Sequence, residues 1–505
     1  MSDFPSTVLF NGFRQFSVGG RPFPVLGGTV ADSTASDPGL LERAVWPAAR
    51  DLGVNTVFAP VTWQLLEPRE GEFDFSVPEA LFAGARKNGF KLAVVWYGAW
   101  KDGSSCYAPD WVKLDWNRFP LARPQLGRRT ELLSPCSPAI LDAEKAAYSA
   151  LLGRLRALED AAGGEPTVLA VQIEGGIGMV GGSRDSSGDS DERWNAGVPD
   201  ALVAGFAERA GRLHPEMAKA LGRKGRWNEV FGPNADGAFM AWQFATHVEA
   251  LARAGAEKLP VPCFVSAWNA RGRAGEKPGG APDGEMADVW DVAAPSVFRA
   301  LPAPDAQGIQ FLHPSLGESA TPVLFPRIPP DAGFPAKALH LFGSILAAGV
   351  SSTDLGDGPA GGDPSRLVAQ THFALRGLFR RLGPFRSEES VRSFVQSSSS
   401  QQNMSLGEFS FTVSWARPLR GAAAPGGLLL VHDASGAYWA VGIGARMAPR
   451  HDRAGYVTGI LRQEEFFGTA DGLVRGRVLN GDEGGIALPE GTVSVRRFTL
   501  YRRPI

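Results

Sequence analysis

The chain predicts a parallel (β/α)₈ barrel followed by an antiparallel β domain. Three observations carry that prediction. Short apolar runs alternate with amphipathic helical stretches up to about residue 380, and there are eight such runs. Each run is almost continuously apolar, as strands buried on both faces should be.

In order, the predicted strands are PVLGGTV (24–30), TVFAPVTW (56–63), KLAVVWYGAW (91–100), TVLAVQIEGG (167–176), VPCFVSAW (261–268), SVFRA (296–300), TPVLFP (321–326) and GVSSTDL (349–355). Helical stretches separate them. DPGLLERAVWPAARDLG starts on a capping Asp37 and stops at Gly53, and PEALFAGARKNG stops the same way at Gly89. After RLGPFRSEESVRSF the texture changes to short alternating strands and frequent Gly and Asp turns. This places the barrel at residues 1–385 and a β-sandwich-like domain at 386–505, with the Ser/Gln run near 397–402 as a surface loop.

Charge excludes some partners. Lys and Arg number 51 and Asp and Glu 53, a net charge of -2, which gives no electrostatic footprint for nucleic acid or an anionic membrane. No apolar run reaches the roughly 18–20 residues of a membrane span, and the opening MSDFPSTVLF lacks the form of a signal peptide. Cys106, Cys136 and Cys263 are scattered without metal-ligand spacing and read as free thiols of a reducing, cytoplasmic compartment. His214, His247, His313 and His340 also lack metal spacing, so helix-surface or packing roles are expected, with no metal and no cofactor.

The active site of such a barrel lies at the carboxyl ends of its strands. Those ends gather Trp63, Trp96, Tyr97, Trp100, Tyr107, Trp111 and Trp268. Aromatic faces there predict stacking on a sugar; the competing reading is rim packing. Asp185, in GGSRDSS, reads as a loop-ordering partner of Arg184.

Further motifs resemble a known family. W-x-x-x-E-P-x-x-G-x-F-D-F (Trp63, Glu67, Pro68, Gly71, Phe73, Asp74, Phe75), with the LGVNTV before it, is similar to the retaining β-galactosidases of glycoside hydrolase family 35. WYGAWKDGSSCYAPDWVK, GMVGGSRD, WNEVFG, FMAWQFATHVEALARAG and LNGDEGG resemble a bacterial branch of it with a C-terminal β domain. The resemblance runs from about residue 18 to 503. It implies a saccharide or glycoside ligand, and the residues expected to bind it are Trp63, Glu67, Trp96, Tyr97, Trp100, Tyr107, Trp268, Asn269 and Arg327.

The resemblance also implies two catalytic glutamates, and neither is present. Strand 4 of the family ends Q-V-E-N-E, the last Glu being the acid/base; here Gln172, Ile173, Glu174, Gly175 and Gly176 stand in those places. Strand 7 of the branch ends P-L-F-I-P-E on the nucleophile; here the run is Pro322 to Pro326 and then Arg327. Between Ser319 and Ser387 there is no glutamate, and Gln64 replaces a further Glu of the branch. Retaining hydrolysis needs two carboxyl groups about 5–5.5 Å apart. Glycine supplies no acid, and an arginine is no nucleophile.

Three readings stay open. One is a degenerate hydrolase that binds saccharides or partners an active paralogue. A second is an enzyme, hydrolase or lyase, with catalysis reassigned to Glu174, Asp354 or Asp357 and with Arg327 receiving an anionic sugar. The third is a structural protein that forms a homo-oligomer through its β domain.

Overall fold

The computed structural model describes residues 4–124, 130–180, 184–266, 278–302, 308–309, 312, 321–356, 363–384, 389–397, 401–417, 424–451, 455–479, 483 and 485–505. Asp357, Trp268, Asn269 and His313 lie outside the described residues, and Asp354 is described by its backbone alone.

Eight parallel strands form: β1 (Val25–Val30), β2 (Thr56–Thr62), β3 (Lys91–Lys101), β4 (Val168–Gly175), β5 (Cys263–Ser266), β6 (Val297–Ala300), β7 (Leu324–Ile328) and β8 (Gly349–Leu355). Their hydrogen-bonded order is β7-β8-β1-β2-β3-β4-β5-β6, the cyclic sequence of a near-closed (β/α)₈ barrel. Every residue of β1 to β4 is buried, which is why those runs read as continuously apolar. Asp37 caps its helix as predicted, accepting from the Gly39 N–H at 2.7 Å. A small three-stranded sheet (Ser6–Phe10, Phe13–Val18, Arg21–Pro22) precedes the barrel. Its first strand, STVLF, is half-exposed with only three apolar residues in a row and no alternation, so periodicity does not predict it.

The antiparallel region follows: β9 (Val391–Val395), β10 (Gln401–Leu406), β11 (Phe409–Trp415), β12 (Gly427–His432), β13 (Tyr438–Ile443), β14 (Ala445–His451), β15 (Tyr456–Thr469), β16 (Gly472–Leu479), β17 (Ile486–Leu488) and β18 (Ser494–Pro504). Six strands pair in the order β9-β12-β13-β18-β15-β16 and four in the order β10-β11-β14-β17. A core that includes Met404, Phe411, Leu428, Tyr438, Met447 and Phe498 draws on strands of both sheets.

By compactness the chain divides into two units, one of residues 1–6, 31–42 and 58–302, the other of residues 7–30, 43–57 and 303–505. In the first, helix α1 (Pro138–Ala162) buries Ile140, Glu144, Ala147, Tyr148 and Leu151 along one stripe. It packs on helix α2 (Ala235–Ala256). In the second, helix α3 (Phe334–Gly343) carries the half-buried His340 and helix α4 (Asp363–Leu382) the fully buried His372. His340 faces the Ser393 hydroxyl at 3.2 Å from Nδ1. His372 Nδ1 lies 2.9 Å from the Leu52 carbonyl, to which it donates, and its Nε2 has no partner.

Burial lowers both imidazoles to about 4. An unfolded histidine, at about 6.5, therefore takes up a proton before the folded one does. Stability is complete above pH 6.5 and falls as the pH drops toward 4, by about 3 kcal/mol for each histidine. Urea titrations from pH 7 to pH 4 should show this fall, and His372→Asn, which keeps a donor for Leu52, should remove part of it.

A carboxyl cluster and a charged strand-end site

Four elements of the first unit meet around Glu144, which is fully buried on α1. Its carboxylate accepts from Trp96 Nε1 of β3 at 2.8 Å and from His247 Nε2 of α2 at 2.8 Å. It also hydrogen-bonds the Glu174 carboxyl of β4. Glu174 has no exposure to solvent, and its oxygens accept three consecutive N–H groups: Gly98 at 3.1 Å, Ala99 at 2.7 Å and Trp100 at 3.0 Å.

Two buried acids at hydrogen-bond distance cannot both be charged cheaply. Burial pushes the Glu174 carboxyl well above the usual range, the neighbouring Glu144 pushes it further, and the three backbone donors do not reverse this. For Glu144 burial also opposes the charge, but His247, Glu174 and Trp96 together hold it low. One proton therefore sits on Glu174 and the charge sits on Glu144.

The backbone conforms to this arrangement. Glu174 sits at φ 62° and Gly176 at φ 68°, both left-handed. A non-glycine residue there costs about 1–2 kcal/mol, which the bonds of the Glu174 side chain offset. Gly98 has to be glycine, because a Cβ would overlap the Glu144 carboxylate and Trp96 Nε1.

Beyond this cluster, at the carboxyl ends of the strands, lies a charged group that sequence reasoning missed. Lys101 ends β3 and is 6% exposed. Its ammonium pairs with Asp102 and, at 3.0 Å, with Asp32, which follows β1. Burial works against the Lys101 charge, but Asp102 and Asp32 win and raise its pKa. The Asp side chains keep 36% and 41% exposure, so their oxygens reach water. Tyr97 donates to Asp32 at 2.9 Å and stacks on the half-buried Tyr107, ring centres 5.2 Å apart. Burial and then the Asp32 charge raise the Tyr107 phenol, keeping it a donor at neutral pH. Gly175 is small for this group, since a Cβ would come 2.5 Å from Tyr97 Cε1 and 2.8 Å from Lys101 Cδ.

The other predicted aromatics are placed differently. Trp63, Trp96 and Trp100 are at most 1% exposed, with every indole N–H bonded: to Glu67, to Glu144 and to the Leu133 carbonyl. None presents a ring face to solvent. Glu67, 3% exposed, accepts from Trp63 and from the Gly71 N–H, and its carbonyl accepts from Trp111. Arg327 lies in β7, half-buried, in the other unit. Asp185 orders its loop through Arg123 N–H, Ser134 and Ser187; Arg184 donates to the Asp185 main-chain carbonyl at 2.7 Å and forms its ion pair with Asp191. Among the described residues no three His, Cys, Asp or Glu side chains gather as metal ligands, and no helix is long and apolar enough to cross a membrane.

Two signals were present in the sequence. Glu144 is a charged residue on an apolar helical stripe, and Lys101-Asp102 closes an otherwise apolar strand.

Comparison with known proteins adds a partial likeness. Residues 369–488 match a family described as a domain of unknown function (DUF5597). Over 66 residues the chain is 39% identical to a β-galactosidase of Xanthomonas manihotis, a match spanning 12% of this chain and only 10% of that enzyme. Among solved structures, the catalytic domain of a β-amylase from Paenibacillus polymyxa aligns over 66% of this chain and 94% of its own, at 12% identity and a TM-score of 0.45. A cold-adapted β-galactosidase from Rahnella sp. R3 aligns over 74% of this chain and 58% of its own, at 13% identity and a TM-score of 0.46.

Two substitutions test the cluster. Gly98→Ala should cost about 2–4 kcal/mol in urea unfolding, because the overlap falls on a buried, fully bonded carboxylate. Glu174→Gln should change the pH profile. A folded carboxyl raised above its unfolded value of about 4.3 stabilises at low pH and loses that contribution as pH rises. The variant should lack this decline between pH 4.3 and neutrality.

Proposed function

We propose that the protein is a carbohydrate-active barrel of the family 35 β-galactosidase type that has lost retaining hydrolysis and binds a neutral saccharide at the strand-end cluster. In this reading residues 1–385 form the barrel and 386–505 an accessory β domain. The observation that carries it is the state of the QIEGG strand. Its one carboxyl, Glu174, is buried, protonated and saturated with donors, so it has no proton to deliver outside the interior and no lone pair to offer a sugar. Position 176, where the family's acid/base would stand, holds glycine in a left-handed conformation.

What remains at the strand ends suits binding. Asp32 and Asp102 accept hydrogen bonds from sugar hydroxyls, Lys101 holds them apart, and Tyr107 offers ring and phenol. Two carboxylates and one ammonium leave one net negative charge, which favours a neutral sugar over a uronate.

The test pairs turnover with binding. Purified protein should not hydrolyse p-nitrophenyl β-galactoside above the uncatalysed rate, yet should bind lactose or galactose in calorimetry. Asp32→Asn should weaken that binding about tenfold, the loss of one charged acceptor. Gly176→Glu should restore no activity, because the new side chain would need a strained backbone. Turnover of a galactoside that Asp32→Asn abolishes would refute the reading. Turnover of a glucuronide or galacturonide lost in Arg327→Ala would favour reassigned catalysis instead.

A further inference from the structure

A second feature of the first unit adjoins the strand-end cluster but is built from other side chains. A cleft of about 220 Å³ opens beside the short helix Asp110–Leu114 and the loop that follows it. Phe119, Leu121, Val112 and Leu133 form its apolar floor. Trp116 stands on its edge, 69% exposed, unlike the buried Trp63, Trp96 and Trp100.

The indole is held in place. Its Nε1 donates to the Lys113 carbonyl, which turns the polar edge of the ring into its own chain. What faces water is therefore apolar ring surface, with the exposed Leu114 close in sequence. Polar groups stand at the rim. The Lys113 ammonium donates one hydrogen to the Cys106 carbonyl at 2.6 Å and has two more to give, and Glu131 is an exposed acceptor. The volume lies below the roughly 300–1,000 Å³ usual for drug-sized ligands, which suits one ring.

We infer that this cleft seats one pyranose ring of a saccharide, its C–H face on Trp116 and its hydroxyls toward Lys113 and Glu131. A pyranose matches because it is itself amphipathic, apolar on one face and ringed by hydroxyl donors and acceptors. A wholly apolar occupant would leave Lys113 and Glu131 without use. The choice of a sugar rests on the carbohydrate reading above, but the residues differ from those of the strand-end cluster. Ser105 and Cys106 line the cleft immediately before Tyr107 of the cluster, so one loop serves both.

Cys106 provides the readout. It is the exposed one of the chain's three cysteines. The others are buried, and burial first of all raises their thiols, Cys136 to about 12 and Cys263 to about 11. Iodoacetamide will therefore alkylate Cys106 first.

The experiment measures that rate on the full chain, with lactose or methyl β-galactoside and with mannitol as control. A sugar in the cleft should slow alkylation about threefold at twice its Kd, since the free fraction falls as 1/(1 + [L]/Kd). Trp116→Ala, at a surface position, should abolish the protection without lowering the melting temperature. Asp32→Asn should leave the protection intact. Protection unchanged in Trp116→Ala, or lost in Asp32→Asn, would place the sugar at the strand ends and overturn the inference. Lactose binding that depends on Asp32 but gives no protection would overturn it while sparing the proposed function. No binding of either sugar would overturn both. A Trp116-dependent dimer without sugar protection would assign the cleft to a second copy and overturn it as well.

Discussion

Two carboxyl groups meeting in the interior, Glu144 and Glu174, are the interaction on which the rest of this site depends. Four elements contribute to it, β3 and β4 through Trp96 and Glu174 and the two helices through Glu144 and His247. A lone buried charge would cost several kcal/mol, and here the charge is dispersed over an indole, an imidazole and a shared proton. The second acid does structural work of its own: by accepting three N–H groups in a row it fixes the path of β3 just before Lys101.

That fixed path sets the character of the strand ends. Lys101 lies between Asp32 and Asp102 because the chain from Gly98 to Trp100 is anchored a few residues earlier. A pre-set array of acceptors loses little conformational freedom in any hydrogen bond it makes. A carboxylate held by a lysine is a good acceptor of hydroxyl protons and a poor acid.

Much of the fold was legible in the sequence because burial on both faces leaves an unmistakable apolar run. Residues 91–100 and 349–355 needed almost no adjustment as strands. The small amino-terminal sheet was not legible, since strands of two to six residues with mixed exposure leave no period. The site was legible in part. Glycine at 176 can be read directly, but the direction of an indole cannot. Trp96 and Trp100 sit at the end of a barrel strand and still point to the helices, because Glu144, His247 and Phe244 lie on that side. Tyr97, one residue after Trp96, points the other way to Asp32. Asp32 itself, two residues past β1, lacked any local pattern that would link it to Lys101.

The outermost strand of the six-stranded sheet, β16, has one side with no strand beside it among the described residues. Such an edge is a template for unwanted pairing, and Val474 and Val478, both about half exposed, add apolar surface to it. Between them stand Arg475 and Arg477, whose guanidinium groups reach back to Glu464 and Glu465 on β15. A strand from another molecule would have to strip water from both cations to join the sheet. The valines favour β structure and the arginines close it to strangers, so β16 carries its own protection against amyloid-like growth.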